Sequence, residues 1–111
     1  MCRIDWLSVT TETASNTLQR FCIERRDVPI AKGGSYSAAY NVEFNGIGER
    51  LIFELANRCV SLDFPMAVHA CVDGLNRIVA ACSAKTGGVV TTGGQGEHNC
   101  FEFSLKIEGG A

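Results

Sequence analysis

The chain has two histidines, and both stand in the same local pattern: His69-Ala70-Cys71 and His98-Asn99-Cys100 are each His-x-Cys. On a strand, residues i and i+2 share a face, so each pair would present an imidazole beside a sulfur. If the two strands pair, His69, Cys71, His98 and Cys100 make a Cys₂His₂ set, and zinc is the metal that set would take. Against this stands the spacing, because zinc sites favour closely spaced Cys pairs and the chain has none. The same residues could instead support a thiolate–imidazolium pair at Cys71 or Cys100. Side chains two apart on a strand run parallel, which is poor geometry for a His–Cys hydrogen bond. No motif for an oxyanion hole or an orienting group accompanies them. Glu54, Asp63, Asp73 and Glu97 are scattered carboxylates without paired spacing and read as solvated surface.

The most unusual segment runs from Thr86 to His98 and is rich in glycine. Successive backbone N–H groups in such segments can cradle an anion. The phosphate-loop pattern is absent, and a strong strand rather than a helix follows, so a nucleotide loop is disfavoured. Residues 85–99, with five glycines and few large side chains, read as a long flexible loop between strands. Long loops in compact domains often bind, so Gly93, Gly94, Gln95, Gly96, Glu97 and His98 are candidate ligand residues. Trp6, Tyr36 and Tyr40 join them as amphipathic aromatics suited to line a pocket. Arg20, Arg25 and Arg26, with Arg3, form a basic cluster that reads chiefly as a solvated face.

The elements that must position these residues follow from periodicity. Residues 2–10 have β-type composition and are expected as a first strand. Ala14, Leu18, Phe21 and Cys22 fall at i, i+4, i+7 and i+8, the stripe of a helix over roughly residues 12–26. N-cap residue types precede it and Pro29 follows. Tyr36, Ala38, Tyr40, Val42 and Phe44 alternate with smaller or polar residues, which predicts a strand. Asn45-Gly46 predicts a tight hairpin turn, with Gly48 as a candidate bulge, and residues 50–57 return as the partner. Residues 66–73 and 77–84 are read as two further strands around an Asp73-Gly74 turn. The second is apolar on both faces, with Ile78, Ala80 and Cys82 on one and Val79 and Ala81 on the other. Cys100 to Glu108 has the cleanest alternation, with Phe101, Phe103, Leu105 and Ile107 inward.

The expected fold is α+β: a single domain over 1–111, a mostly antiparallel sheet of five to six strands, and one helix near the N-terminus. A small all-β sandwich or barrel is the alternative. The chain's 111 residues fit one domain, and the 46% hydrophobic and 20% charged fractions are ordinary for a globular protein. A net charge of −2 gives nucleic acid no electrostatic handle. No apolar run is long enough to span a membrane. The N-terminus lacks the apolar core of a signal peptide, so the expected compartment is the cytoplasm, with all six cysteines reduced. The alternative is a secreted domain with three bridges of unspecified pairing. The functional expectation is a small non-catalytic binding or protein-interaction domain of unknown ligand. It would associate as a homodimer or higher homo-oligomer through the two-faced strand at 77–84. A small metalloprotein or thiol-dependent enzyme built on the His-x-Cys segments is the alternative.

Overall fold

The computed structural model describes residues 2, 7–26, 28–31, 33–58, 64–65, 67–84, 87–98 and 100–109; of Phe64, Pro65 and His98 it describes the backbone alone. In chain order the elements are β1 (Val9–Thr10), α1 (Thr11–Glu24), β2 (Pro29–Ile30), β3 (Ser35–Phe44), β4 (Ile47–Asn57), β5 (Phe64–Pro65), α2 (Val68–Ala81), β6 (Val90–Thr91), β7 (Gly94–His98) and β8 (Phe101–Gly109). The main sheet has four strands in the order β3-β4-β8-β7, all antiparallel. Two short ladders, β1-β6 and β2-β5, lie outside it. The fold is therefore α+β. Its main sheet is open, with β3 and β7 as edges, so it is neither sandwich nor barrel.

The β3–β4 hairpin forms as its sequence dictates. Asn45 and Gly46 adopt φ of 54° and 78°, the left-handed geometry that suits the twist of a two-residue hairpin. The register runs unbroken through the Glu43↔Gly48 pair, so Gly48 makes no bulge. Leu51, Phe53 and Leu55 of β4 and Phe101, Phe103, Leu105 and Ile107 of β8 are buried on one face. The opposite face carries Arg50, Glu102, Lys106 and Glu108, with Arg50 and Glu108 ion-paired across the strands at 3.1 Å.

Helix α1 begins at Thr10, whose side chain accepts a hydrogen bond from the Thr13 N–H at 3.2 Å. Its stripe of Ala14, Leu18, Phe21 and Cys22 is buried as expected. Phe21 stacks on Phe53 at 5.4 Å between ring centroids, which seats the helix over β3 and β4.

The largest correction concerns residues 66–84. Val68–Ala81 of this span form one helix, α2, where two strands were expected. Cys71, Leu75, Ile78 and Val79 are its buried stripe, again at i, i+4, i+7 and i+8. The Asp73-Gly74 pair is helical. Gly74 sits in mid-helix because a Cβ there would collide with the Phe103 ring. Ile78 and Val79 thus face the same core, while Ala80 and Ala81 are exposed. The two-faced apolar strand from which self-association was expected does not exist, and this segment leaves no large apolar face needing a partner.

A second correction concerns the cysteines. Cys22 on α1 is disulfide-bonded to Cys71 on α2, and Cys2 to Cys82. Cys100 is also disulfide-bonded, and no described cysteine is a free thiol. The buried stripes of the two helices meet, with Cα atoms of Cys22 and Cys71 5.7 Å apart. Ser15 donates to Asn76 beside them at 3.0 Å. A sequence separation of 49 between the paired cysteines hid this bond from any spacing argument. In the chain-entropy picture a loop of this length is worth about 4 kcal/mol.

A third correction falls on residues 85–99. Residues 90–91 and 94–98 are strands, and β7 is an edge of the main sheet. Gly93 turns the chain into that edge at φ 74°, where a Cβ would lie 2.5 Å from the Leu105 carbonyl oxygen. Among the described residues of the expected first strand, Val9–Thr10 is a strand and Cys2 makes an isolated bridge to Gly94. Trp6 and the other residues of 3–6 lie outside the described residues. No helix among the described residues is long and apolar enough to cross a membrane.

Replacing Gly74 with Ala should lower stability by about 1–3 kcal/mol in a denaturant melt, although helix propensity alone predicts a gain of about 1 kcal/mol. Removing the core disulfide by the double change Cys22→Ala and Cys71→Ala should cost about 2–4 kcal/mol by the same measurement.

Candidate functional site

The register of the sheet fixes where side chains are missing. Across the helix-covered face, one row runs Tyr36–Leu55–Phe103–Gly96 and the next Ala38–Phe53–Leu105–Gly94. Large side chains fill the central positions of both rows, and at β7 each row ends in glycine. Helix α2 lies over β7 and β8, so the empty positions leave a groove of about 180 Å³ between α2 and β7.

Its floor is the Phe103 ring, with Ile78 and Ala81 of α2 on one side and the Cys2–Cys82 disulfide at one end. Gly96 faces Ile78, and a Cβ at residue 96 would meet Ile78 at 3.8 Å, an ordinary contact. The rim is polar: Arg77 on the helix, Gln95 and Glu97 on the strand. Arg77 and Glu97 are both exposed. The groove thus offers one apolar slot with Arg77 on its helix bank, while Gln95 and Glu97 stand in the rows of Ser104 and Glu102, whose side chains take the other face of the sheet.

Its capacity decides what fits. Drug-sized ligands occupy pockets of roughly 300–1,000 Å³, whereas a cavity of about 150 Å³ holds one benzene. The groove therefore takes one ring or one branched aliphatic group, and the remainder of any ligand must lie along the polar rim.

Of the residues singled out from the sequence, Gln95, Gly96 and Glu97 line this groove, and Gly93 and Gly94 lead into it. His98 ends β7. The groove also uses Gly74, Arg77, Ile78 and Ala81, which reasoning from strands could not place beside β7. The helical stripe in 71–79 was the signal that would have found them.

Tyr36 and Tyr40 lie elsewhere. They stand on β3, the opposite edge, separated from β7 by three strand spacings of about 4.8 Å each. There they hold down the end of α1. The Tyr40 hydroxyl donates to Glu24, and the Arg20 guanidinium lies 5.0 Å from the Tyr40 ring centroid and 3.4 Å from the Glu24 carboxylate. Arg25 stacks on Tyr36. The Tyr40 hydrogen bond, aided by the Arg20 charge, holds the Glu24 carboxyl below its ordinary range. Burial and the facing carboxylate push the Tyr40 phenol well above its own. These aromatics and arginines are a clamp between helix and sheet.

The metal set does not assemble. Cys71 and Cys100 are in disulfides, so neither sulfur is a thiolate donor or nucleophile. His69 lies on α2, where residues two apart point to opposite sides of the helix, and it is exposed while Cys71 is buried. Among the described residues no group of three or more His, Cys, Asp or Glu side chains is placed to hold a metal ion.

One buried carboxylate belongs to neither cluster. Glu49 faces the helix side of the sheet in the row Val42–Glu49–Gly109 and is 5% exposed. Its Oε1 has no hydrogen-bond partner among the described residues. Burial raises its pKa.

The sequence matches no protein-family model and no curated protein.

The raised pKa of Glu49 sets the sign of a pH effect. The folded state binds that proton more tightly than the unfolded chain, so this stability is present at low pH and is lost as pH rises through the folded pKa. Glu49→Gln should therefore raise stability at pH 7 by about 1 kcal/mol, with the gain vanishing at pH 3. Paired denaturant melts at the two pH values check this, and an equal effect at both would refute the assignment.

Proposed function

We propose that this protein is a non-catalytic binding domain of an oxidising compartment, and that it takes one ring or branched aliphatic group of its ligand into the α2–β7 groove. The observation that carries the reading is the row of the sheet that ends at Gly96. A side chain there would complete the core, and its absence leaves an apolar slot beside a polar rim. Concave, largely apolar sites with a few polar groups at the edge are the usual form of a binding pocket.

The disulfides support the compartment. Such bonds persist in secreted and extracytoplasmic settings and are rare in a reducing cytosol. With Cys22 and Cys71 bonded inside the core, reducing conditions would remove part of the stability this small domain depends on. An oxidising compartment therefore fits the chain better than the cytoplasm. The same bonds argue against a thiol enzyme, since Cys71 and Cys100 are held as disulfides.

Indole is a suitable probe because it is one flat apolar group with a single polar N–H. Titrated into oxidised, isotope-labelled protein, it should shift backbone resonances of Gly74, Arg77, Gln95, Gly96 and Glu97 and leave those of β3 unmoved. Gly96→Leu should abolish the shifts. That variant should keep its melting temperature, since nothing obstructs a side chain at 96 and leucine suits a strand better than glycine does. Shifts centred on Tyr36 and Tyr40, or binding that survives in Gly96→Leu, would refute the groove.

A further inference from the structure

The end of the groove is made by a single residue that touches both of its banks. Cys2 forms an antiparallel bridge with Gly94 at the start of β7. Its sulfur is bonded to Cys82, the C-cap residue of α2, with Cα atoms 5.3 Å apart. Both cysteines line the groove. Helix end and edge strand are thus joined at the end of the slot by this disulfide, beside a backbone hydrogen bond from the Thr92 N–H to the Cys82 carbonyl at 3.4 Å.

The two fully described disulfides differ in access. Cys22 and Cys71 are each 1% exposed, between the helices. Cys2 is exposed and Cys82 half-buried. Thiol–disulfide exchange needs a thiolate to reach one sulfur along the S–S axis, so exposure decides which bond reacts first. Cys100 is exposed as well, but it lies at the β7–β8 turn, away from the groove lining. Among the described residues, the backbone of Cys2 pairs with Gly94 in an isolated bridge.

From this geometry we infer that the Cys2–Cys82 disulfide is a reducible latch, which holds the end wall of the groove in place when oxidised and lets it go when reduced. The reductant is a dithiol. Its thiolate attacks the Cys2 sulfur, the Cys2–Cys82 bond breaks, and Cys82 leaves as a thiolate that takes up a proton. The second thiol of the reductant gives up its proton and displaces Cys2 from the mixed disulfide. Cys2 in turn leaves as a thiolate and is protonated. The protein disulfide gains two electrons and two protons, and the dithiol becomes a cyclic disulfide. A ligand held in an oxidising setting would then be let go on entry into a reducing one.

This inference rests on the groove reading, and the test separates the two. Native full-length protein is treated with graded dithiothreitol, the free thiols are alkylated, and the labelled cysteines are mapped by peptide mass. Cys2 and Cys82 should be labelled at least about tenfold faster than Cys22 and Cys71, with the near-ultraviolet circular dichroism of the fold retained. Labelling of Cys22 and Cys71 at the same rate, or loss of that signal along with the first labelling, would overturn the latch. Indole affinity is then compared between oxidised protein, latch-reduced protein and the double variant Cys2→Ser with Cys82→Ser. Both open forms should bind about tenfold more weakly than the oxidised protein, a loss of one wall's contacts. Equal affinity in all three, with the expected labelling, overturns the latch alone. No indole binding by oxidised protein overturns the groove and the latch together.

Discussion

The approach of α2 to Phe103 is the contact on which the rest of the structure turns. Gly74 lets the helix settle directly on the aromatic ring, closer than any side chain would allow. That approach puts Leu75, Ile78 and Val79 into the core and brings Cys71 level with Cys22 on α1. It also fixes the distance from the helix to β7. Over β8 the space beneath α2 is filled by Phe103, whereas over β7 the matching positions are Gly94 and Gly96. The groove is thus a direct result of seating a helix close to a sheet whose edge strand carries glycine opposite Phe103 and Leu105. Glycine has opposite consequences in the two places. At 74 it removes space between elements, and at 96 it leaves space open.

Much of the sheet and the first helix was legible in the sequence because each obeys one period without interruption. The alternation from Tyr36 to Phe44, the Asn45-Gly46 turn and the Phe101–Ile107 stripe each point to a single answer, and the structure gives it. Ala14, Leu18, Phe21 and Cys22 do the same for α1. The stripe of α2 repeats that spacing residue for residue, at 71, 75, 78 and 79. It was obscured by three local signals. His69-Ala70-Cys71-Val72 alternates, β-branched residues cluster at 78–79, and Asp73-Gly74 imitates a turn. Helix propensity penalises a mid-helix glycine by about 1 kcal/mol. Contact with Phe103 overrides that penalty, and a contact with a residue so distant in sequence cannot be seen along the chain. The edge strand β7 was hidden for the converse reason. Its inward positions are Gly94, Gly96 and His98, so no apolar alternation marks it.

The candidate site was legible in part and for an unforeseen reason. Gln95, Gly96 and Glu97 drew notice as members of a loop, yet they line the groove as members of a strand. Their partners on α2 could not be named while that segment was read as two strands. Tyr36 and Tyr40 drew notice as amphipathic aromatics, and both find partners in the chain itself: the Tyr40 hydroxyl meets Glu24, and Arg20 and Arg25 lie over the Tyr40 and Tyr36 rings. An amphipathic aromatic on an edge strand is as well served by a helix end as by a ligand. The two histidines were paired with cysteines by sequence alone. The fold separates His69 from Cys71, because the helix turns the two side chains to opposite sides and Cys71 is bonded to Cys22 between the helices.

The cysteines connect these observations to chemistry. Six in a short chain with no closely spaced pair fit neither a zinc site nor a local redox motif. They fit long-range staples, whose value grows with the length of chain they close. Cys22–Cys71 ties helix to helix beneath the surface and serves the fold. Cys2–Cys82 closes a span of 80 residues and joins the edge strand to the end of α2 at the surface. A staple in the core must be inaccessible to do its work, because its reduction would loosen the contact between the helices. A staple at the rim of a groove is under no such constraint. Its exposure leaves its sulfurs open to a reductant, while the Cys22–Cys71 bond that ties the helices stays shielded in the core.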